Sequence, residues 1–147
     1  MAKIDYCVEL LQNVINITPV KMAEPTCEGY FYSFKRVDGL GSFLSAQIVA
    51  DLKNTVGHPL EAATDWMYWS APGPGSLRGL SWYHNRKITP SLYDESIFEA
   101  KSYIENRLGE PYMTMCMQDF QNCMCEFDKY CRVSYGTGRS KRKYAGF

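Results

Sequence analysis

The segment VDGLGSFLSAQIVADL, residues 37–52, is the clearest indication of how this chain folds. Gly39 and Gly41 permit a tight turn, because glycine reaches backbone conformations with positive φ that other residues avoid. Ser42 is placed to cap a helix, and the apolar residues after it repeat with helical period. Strand and helix compete for the aromatic-rich run before the turn, and the turn favours helix. The segment therefore predicts a hairpin of two helices over about residues 28–53.

Apolar periodicity predicts further helices on both sides of this hairpin. They are expected over residues 5–17, from Pro59 through Trp69, after a cap at Ser76, over 91–108 and over 112–132. A length of 147 residues with 46% hydrophobic content suits one core. The sequence thus predicts a single all-α domain over residues 1–147 with about six or seven helices.

Charge is balanced over the chain but uneven along it. Sixteen basic and sixteen acidic residues give a formal net charge of zero, so no global field points to nucleic acid. The segment 132–147 is nevertheless basic and carries no acidic residue. Its Arg139, Lys141 and Arg142 are predicted to contact DNA phosphates, and a solvated end is the alternative.

The N-terminus and the hydropathy pattern argue against a membrane protein. No apolar run approaches the roughly 20 residues that span a bilayer. Asp5 and Glu9 stand where a signal peptide would be apolar. We expect a cytoplasmic protein that binds no membrane, located in the host cytoplasm if it is viral.

The hairpin resembles the helix-hairpin-helix element of DNA glycosylases, in which a hydrophobic-x-Gly-hydrophobic-Gly turn precedes a helix. The resemblance implies that backbone amides at Gly39, Gly41 and Ser42 hold a DNA phosphate without reading the base. A plain helical hairpin is the alternative. In those glycosylases a catalytic Asp follows by about two dozen residues, where this chain has Asp65; an ordinary helix cap is the other interpretation. The chain lacks their Schiff-base lysine after the turn, so lyase chemistry is not expected.

Three further segments carry a more specific resemblance. SAPGPGSLRGL (70–80), QNCMCEFDKY (121–130) and GRSKRKY (138–144), taken with the hairpin and Asp65, resemble the helical domain of phage thymidine-hypermodification proteins. That family includes α-glutamyl/putrescinyl-thymine pyrophosphorylases, amino acid:DNA transferases and a helical domain attached to 5-hydroxymethyluracil DNA kinases. The resemblance implies a glycosylase-related helical fold that acts on thymine-derived bases in DNA. In the transferases an amine displaces pyrophosphate from a pyrophosphorylated 5-hydroxymethyl group on the base.

The loop before the fourth predicted helix suits an anion. Gly73, Gly75 and the amides at Ser76 are interpreted as a nest for phosphate or pyrophosphate, with Arg78 as a bidentate partner. A simple Pro-Gly connection with a solvated arginine is the alternative.

Acidic residues near the end of the last predicted helix suit proton transfer. Glu126 or Asp128 is expected to accept a proton from an attacking ammonium, and Lys129 beside them is expected to bind phosphate or DNA. Alternatively Glu126 and Lys129 form an i,i+3 surface pair while Phe127 and Tyr130 pack inward.

Aromatic and cysteine residues allow two more interpretations. A stacking surface for an extruded base is one use of a set of residues that core packing explains equally well: Trp66, Trp69, Trp82, Tyr83 and His84. Four cysteines lie one residue short of an iron–sulfur spacing seen in some glycosylases: Cys116, Cys123, Cys125 and Cys131. Cys123 lies on a helical stripe with apolar neighbours, and Cys125, two positions later, points to a different face. Small buried thiols are therefore the preferred interpretation, and neither metal nor cofactor is predicted.

The predicted function is therefore DNA base hypermodification, in which an amine from an amino acid or polyamine is transferred to a phosphorylated or pyrophosphorylated 5-hydroxymethyluracil. A noncatalytic DNA-binding subunit and a monofunctional glycosylase are the alternatives. The expected partners are double-stranded DNA and the amine co-substrate. A partner chain or homodimer is also expected to complete the domain, because only about 36 residues precede the 37–52 segment.

Overall fold

The protein is all-helical. A computed structural model describes residues 3–16, 25–109 and 115–138, and these contain six α-helices and no strand. The helices are α1 (Lys3–Asn16), α2 (Cys27–Phe34), α3 (Ser42–Lys53), α4 (Pro74–Tyr83), α5 (Tyr93–Leu108) and α6 (Met117–Ser134). Short 3₁₀ segments cover Pro59–Ala62 and Pro90–Leu92. The predicted all-α class is confirmed.

The chain forms two compact units, residues 1–71 and residues 72–147. Each unit has its own cluster of buried apolar side chains. Each unit therefore has a hydrophobic core of its own. The single domain expected over residues 1–147 stays a prediction.

The first unit is built on α2 and α3. Its core contains Cys27, Phe31, Val49 and Leu60, all 5% exposed or less. Helix α1 adds partly buried side chains to this core but has no fully buried residue. The aromatic-rich run, for which strand and helix compete in the sequence, is therefore a helix. Its buried rings lie on one face of that helix.

The predicted hairpin is present. Gly39 occupies a left-handed conformation with φ +87°, and the Leu40 amide donates to the Val37 carbonyl at 3.0 Å. The cap differs from the prediction: Gly41 is the N-cap of α3, and Ser42 is already helical. Since Gly41 has no side chain, α3 begins without a side-chain cap.

The helix predicted from Pro59 through Trp69 is wrong. Only Pro59–Ala62 is helical, as one 3₁₀ turn, and Ala63 turns to an extended conformation with ψ 134°. Turns cover the residues that follow. Tertiary hydrogen bonds hold them instead of a helix ladder, since the Trp66 indole N–H donates to the Lys53 carbonyl at 2.9 Å.

The second unit is dominated by the contact of α4 with α6. These helices run in the same direction, because Gly73 lies near Gln121 at one end and Trp82 stacks on Tyr135 at the other. Beneath them is a core that includes Leu80, Tyr93, Ile97, Phe120 and Met124. The second unit therefore places the 70–80 and 121–130 segments side by side.

Three helix starts differ from the predicted ones. Helix α4 starts at Pro74, because Gly73 is the N-cap and proline fits the first helical turn. Ser76 thus lies inside α4, where its hydroxyl accepts from the Gly73 amide at 3.1 Å. Helix α5 starts at Tyr93, after the second 3₁₀ turn, and α6 is described from Met117, whereas residues 110–114 lie outside the described part. No described helix is long and apolar enough to cross a bilayer.

Candidate anion-binding site

A buried carboxylate organises the surface of the second unit. Asp128 of α6 is fully buried, although charged side chains seldom are unless they are paired. Its Oδ2 accepts from Arg78 Nε at 3.0 Å and from Arg132 Nε at 3.1 Å, and Arg78 Nη2 lies 3.0 Å from the same oxygen in an ion pair. Its Oδ1 accepts from the Trp82 indole N–H at 3.3 Å. Both carboxylate oxygens therefore have partners that fix three side chains around them.

Helical spacing brings these side chains to one face. Arg78 and Trp82 are four residues apart on α4, and Asp128 and Arg132 are four apart on α6, so each pair lies on one side of its helix. Gly79 allows the two helices to approach until a β-carbon there would lie 2.8 Å from the Met124 carbonyl carbon. Close crossing is what lets Asp128 reach Arg78 and Trp82.

Asp128, Arg78, Arg132 and Trp82 form a cluster, called the Asp128 cluster below, that carries a surplus of positive charge at its outer side. One carboxylate faces two guanidinium groups, and the side chains of Arg78 and Arg132 are 51% and 37% exposed. A guanidinium has five N–H donors in a planar fork, of which Asp128 takes only some. The remaining donors suit phosphate or carboxylate oxygens, which arginine binds in a bidentate manner.

Two aromatic rings border the arginines. Trp82 and Tyr135 stack with ring centroids 5.4 Å apart and an interplanar angle of 18°. They remain 40% and 69% exposed, and neither belongs to the buried core of the unit. The exposed edge of the cluster thus offers flat aromatic surface beside cationic donors.

The predicted catalytic carboxylates of α6 behave differently from one another. Asp128 is enclosed by its three donors, whereas Glu126 is exposed and forms an ion pair with Lys129. The alternative of an i,i+3 surface pair is therefore present in the structure. Its companion expectation is wrong for Tyr130, which is 69% exposed because it lies on the outer face of α6.

Asp65 belongs to the first unit and caps a helix distant in sequence. Its Oδ1 accepts from the Cys27 amide at 2.7 Å and its Oδ2 from the Glu28 amide at 3.0 Å. These amides open α2, where unpaired N–H groups and the helix dipole favour an anion. A helix-capping role is thus visible, and the catalytic role predicted for Asp65 stays a prediction.

A cysteine beside Asp65 is strongly perturbed. Burial, together with the nearby negative charge of Asp65, raises the pKa of the Cys27 thiol from 9.0 to about 12, although Lys53 opposes the rise. Lys53 is itself buried, donates to the Trp66 carbonyl at 3.0 Å and lies 4.2 Å from the centre of the Trp66 ring. The contacts of Asp65 with α2 and of Lys53 with Trp66 thus connect α2, α3 and the turns after residue 63.

The hairpin glycines have different surroundings. A β-carbon on Gly39 would meet the Tyr6 ring and Leu10 of α1, so α1 packs against the turn. Gly41 and Ser42 are exposed at the start of α3, and a β-carbon on Gly41 would meet nothing within 4 Å. The predicted phosphate contact is therefore sterically open at Gly41 and Ser42 but crowded at Gly39.

The glycines of the 70–80 segment have packing roles. A β-carbon on Gly75 would lie 3.0 Å from Cys125 Sγ, and one on Gly73 would lie 3.4 Å from Gln121 Nε2. Ser76 is fully buried, and its hydroxyl donates to the Gly73 carbonyl at 3.0 Å. Among the residues of this segment that the sequence predicts to bind an anion, Arg78 is the one that pairs with a charged side chain, Asp128.

The site contains residues that the sequence did not indicate. Arg132 and Tyr135 are not among the site residues that the sequence predicts, although the i,i+4 spacing from Asp128 to Arg132 is typical of an ion pair. The basic residues Arg139, Lys141 and Arg142, predicted to contact phosphates, lie outside the described residues. Within the described ranges, no three His, Cys, Asp or Glu side chains group as metal ligands would.

Comparison with known families identifies the chain. The family described as "5-hmdU DNA kinase, helical domain" matches residues 7–140, nearly the whole sequence. The chain belongs to this family. The helical domain so identified is linked to thymidine hypermodification, as the sequence motifs predicted, and its matched range includes the whole Asp128 cluster. No curated protein and no solved structure is significantly similar to it.

Proposed function

We propose that this chain recognises DNA that carries phosphorylated or pyrophosphorylated 5-hydroxymethyluracil, and that Arg78 and Arg132 receive the phosphate of the modified base. The observation that carries the proposal is the buried Asp128, which holds both guanidinium groups in place while their outer sides stay exposed. Membership of a family named for 5-hmdU DNA kinases supports the choice of base.

Preorganisation makes this arrangement effective. An arginine on a solvent-exposed surface loses side-chain entropy when it binds a phosphate, but Arg78 and Arg132 are already positioned by Asp128. Charge-assisted N–H···O bonds to phosphate are about twice as strong as neutral ones. Two fixed forks side by side therefore favour a phosphomonoester or pyrophosphate, which has more anionic oxygens than a backbone phosphodiester.

We propose that this recognition serves a reaction in which the amine of an amino acid or polyamine displaces pyrophosphate from the modified base. A general base for that step must accept a proton from the attacking ammonium. Asp128 and Asp65 have donors on both carboxylate oxygens, and Glu126 is paired with Lys129. Because these carboxylates already accept hydrogen bonds or pair with a lysine, their contacts support a DNA-recognition role for the chain. A partner protein would then supply the chemistry.

Binding measurements on modified oligonucleotides test the recognition step. Duplexes with thymine, 5-hydroxymethyluracil or its phosphorylated form at one position are titrated by fluorescence anisotropy. We expect the phosphorylated duplex to bind tightest, and Arg78→Ala or Arg132→Ala to weaken that binding by about tenfold or more. Arg107→Ala is the matched control, because Arg107 is an exposed arginine of the same unit that contacts Tyr103. Equal affinity for all three duplexes would contradict the proposal.

A reaction assay tests the division of labour. The chain is incubated with DNA that carries pyrophosphorylated 5-hydroxymethyluracil and a mixture of amino acids and polyamines, and nucleoside masses are read after digestion. We expect unchanged nucleosides together with measurable binding. An amine adduct formed by the chain alone would establish instead that it is the transferase, and release of the free base would establish a glycosylase.

A further inference from the structure

The stacked pair of Trp82 and Tyr135 has no role in the core. Tyr135 is 69% exposed and Trp82 is 40% exposed, yet their rings lie within 18° of parallel. Large aromatic rings are normally buried, and the buried cluster of this unit contains neither of them. Packing alone therefore does not explain why two rings stack at the surface.

Hydrogen bonds hold the ring of Trp82 and the backbone of Tyr135 in place. The indole N–H of Trp82 donates to Asp128 Oδ1, so the carboxylate that positions Arg78 and Arg132 also positions the indole. Tyr135 is the C-cap of α6, and its amide donates to the Cys131 carbonyl at 2.9 Å. Asp128 thus connects the indole, on which the Tyr135 ring stacks, to the two guanidinium groups.

We infer that the Trp82–Tyr135 pair is a stacking platform for one unpaired nucleobase, so that the chain prefers nucleic acid in which a base is free of its duplex neighbours. Every nucleobase has a π-face that can stack on an aromatic ring, and the adjoining arginines suit the phosphate of the same nucleotide. A base inside a duplex has both faces covered by its neighbours and cannot use the platform. This inference rests on the proposed recognition of DNA.

The test compares DNA of one composition in different forms. The probes are a fluorescein-labelled 12-nucleotide thymidine strand, the same strand paired with its complement, and a duplex with one bulged thymidine. We expect the wild-type chain to bind the single strand and the bulged duplex several-fold more tightly than the perfect duplex. Tyr135→Ala should weaken binding to the first two by about tenfold, because one stacked base contributes that order of affinity, and should leave the perfect duplex unchanged.

Matched variants separate stacking from folding and charge. Tyr130→Ala removes an equally exposed tyrosine from the outer face of α6 and should bind like wild type. Tyr135→Phe keeps a ring and should restore the affinity that Tyr135→Ala loses. Tyr135→Ala should also leave the salt dependence of binding unchanged, whereas Arg78→Ala should reduce it, because only the arginine releases counterions.

The outcomes distinguish this inference from the function on which it rests. If Tyr135→Ala binds the single strand like wild type, or if paired and unpaired probes bind equally, the platform is refuted while arginine-dependent recognition of phosphorylated bases stands. If no probe binds and phosphorylated duplex does not bind either, both the proposed function and the platform are refuted.

Discussion

Gly79 of α4 packs directly on the backbone of Met124 in α6. A β-carbon at Gly79 would overlap the Met124 carbonyl oxygen and would lie 2.8 Å from its carbonyl carbon and 3.2 Å from its Cα. Backbone atoms cannot move aside as the end of a flexible side chain can. The closest point of the α4–α6 contact therefore requires glycine, and the Asp128 cluster depends on that contact.

Gly79→Ala should destabilise the second unit by about 2–4 kcal/mol, because the added methyl forces the two helices apart. It should also weaken DNA binding, since Asp128 would no longer reach Arg78 and Trp82 together. Urea denaturation followed by far-ultraviolet circular dichroism measures the first effect. Gly41→Ala is the control, because a β-carbon there meets nothing within 4 Å, and it should cost less than about 1 kcal/mol. Equal stability of both variants would contradict the close contact.

Asp128→Asn should lower both stability and phosphate affinity. It leaves two guanidinium groups without their carboxylate, and because these groups are partly exposed we expect a loss of about 1–3 kcal/mol rather than the full penalty of a buried pair. Glu126→Gln changes an exposed carboxylate on the same helix and should stay within about 0.5 kcal/mol of wild type. If the two variants unfold at the same urea concentration, Asp128 does not organise the surface.

Asp65→Ala should destabilise the first unit by about 1–2 kcal/mol, since the first amides of α2 lose their acceptor. Asp51→Ala, an exposed aspartate on α3 of the same unit, should change stability by less than about 0.5 kcal/mol. Asp65→Asn keeps an amide oxygen as acceptor and should fall between the two. Loss of a base-modifying reaction in Asp65→Asn at unchanged stability would point to catalysis instead.

Cys27 should resist alkylation in the folded protein. Its thiol is fully buried, and its pKa of about 12 leaves almost no reactive thiolate at pH 8. Cys7 is exposed and should react with iodoacetamide within the same experiment. Peptide mass spectrometry after a timed reaction, with and without urea, gives the extent at each site. Rapid modification of Cys27 without urea would show that the first core opens readily.

The same thiol should make stability depend on alkaline pH. The folded protein holds the Cys27 proton up to about pH 12, whereas the unfolded chain releases it near pH 9.0. Above pH 9 the unfolded state therefore binds fewer protons, and the free energy of unfolding should fall as pH rises toward 12. Urea midpoints at pH 8 and pH 10 measure this fall. Cys27→Ala should show a smaller fall between these two values, and an identical fall in both proteins would exclude Cys27 as its source.

Local pattern predicted much of the architecture. The 37–52 segment predicted two helices around a glycine turn because apolar period and turn chemistry agree there, and α2, α3 and Gly39 confirm it. The prediction failed after Pro59, where helical spacing is present but the Trp66 indole and the Lys53 ammonium bond to backbone carbonyls across the fold. Propensity is a weak prior, and such tertiary hydrogen bonds override it.

The sequence predicts only part of the candidate site. The sequence predicts both Arg78 and Asp128 as site residues, but in separate roles, as a phosphate ligand and as a proton acceptor. Their hydrogen bond spans 50 positions of sequence. Nothing in either local pattern indicates that pairing, and without it Arg132 and Tyr135 do not stand out.

The helical class, the glycine hairpin and the link to thymidine hypermodification follow from the amino-acid sequence alone, because they depend on local periodicity and on motifs along the chain. The roles of the charged residues depend on the tertiary structure. Whether a carboxylate accepts a proton, caps a helix or holds two arginines depends on which donors surround it in space, and packing at Gly79 sets those neighbours for Asp128.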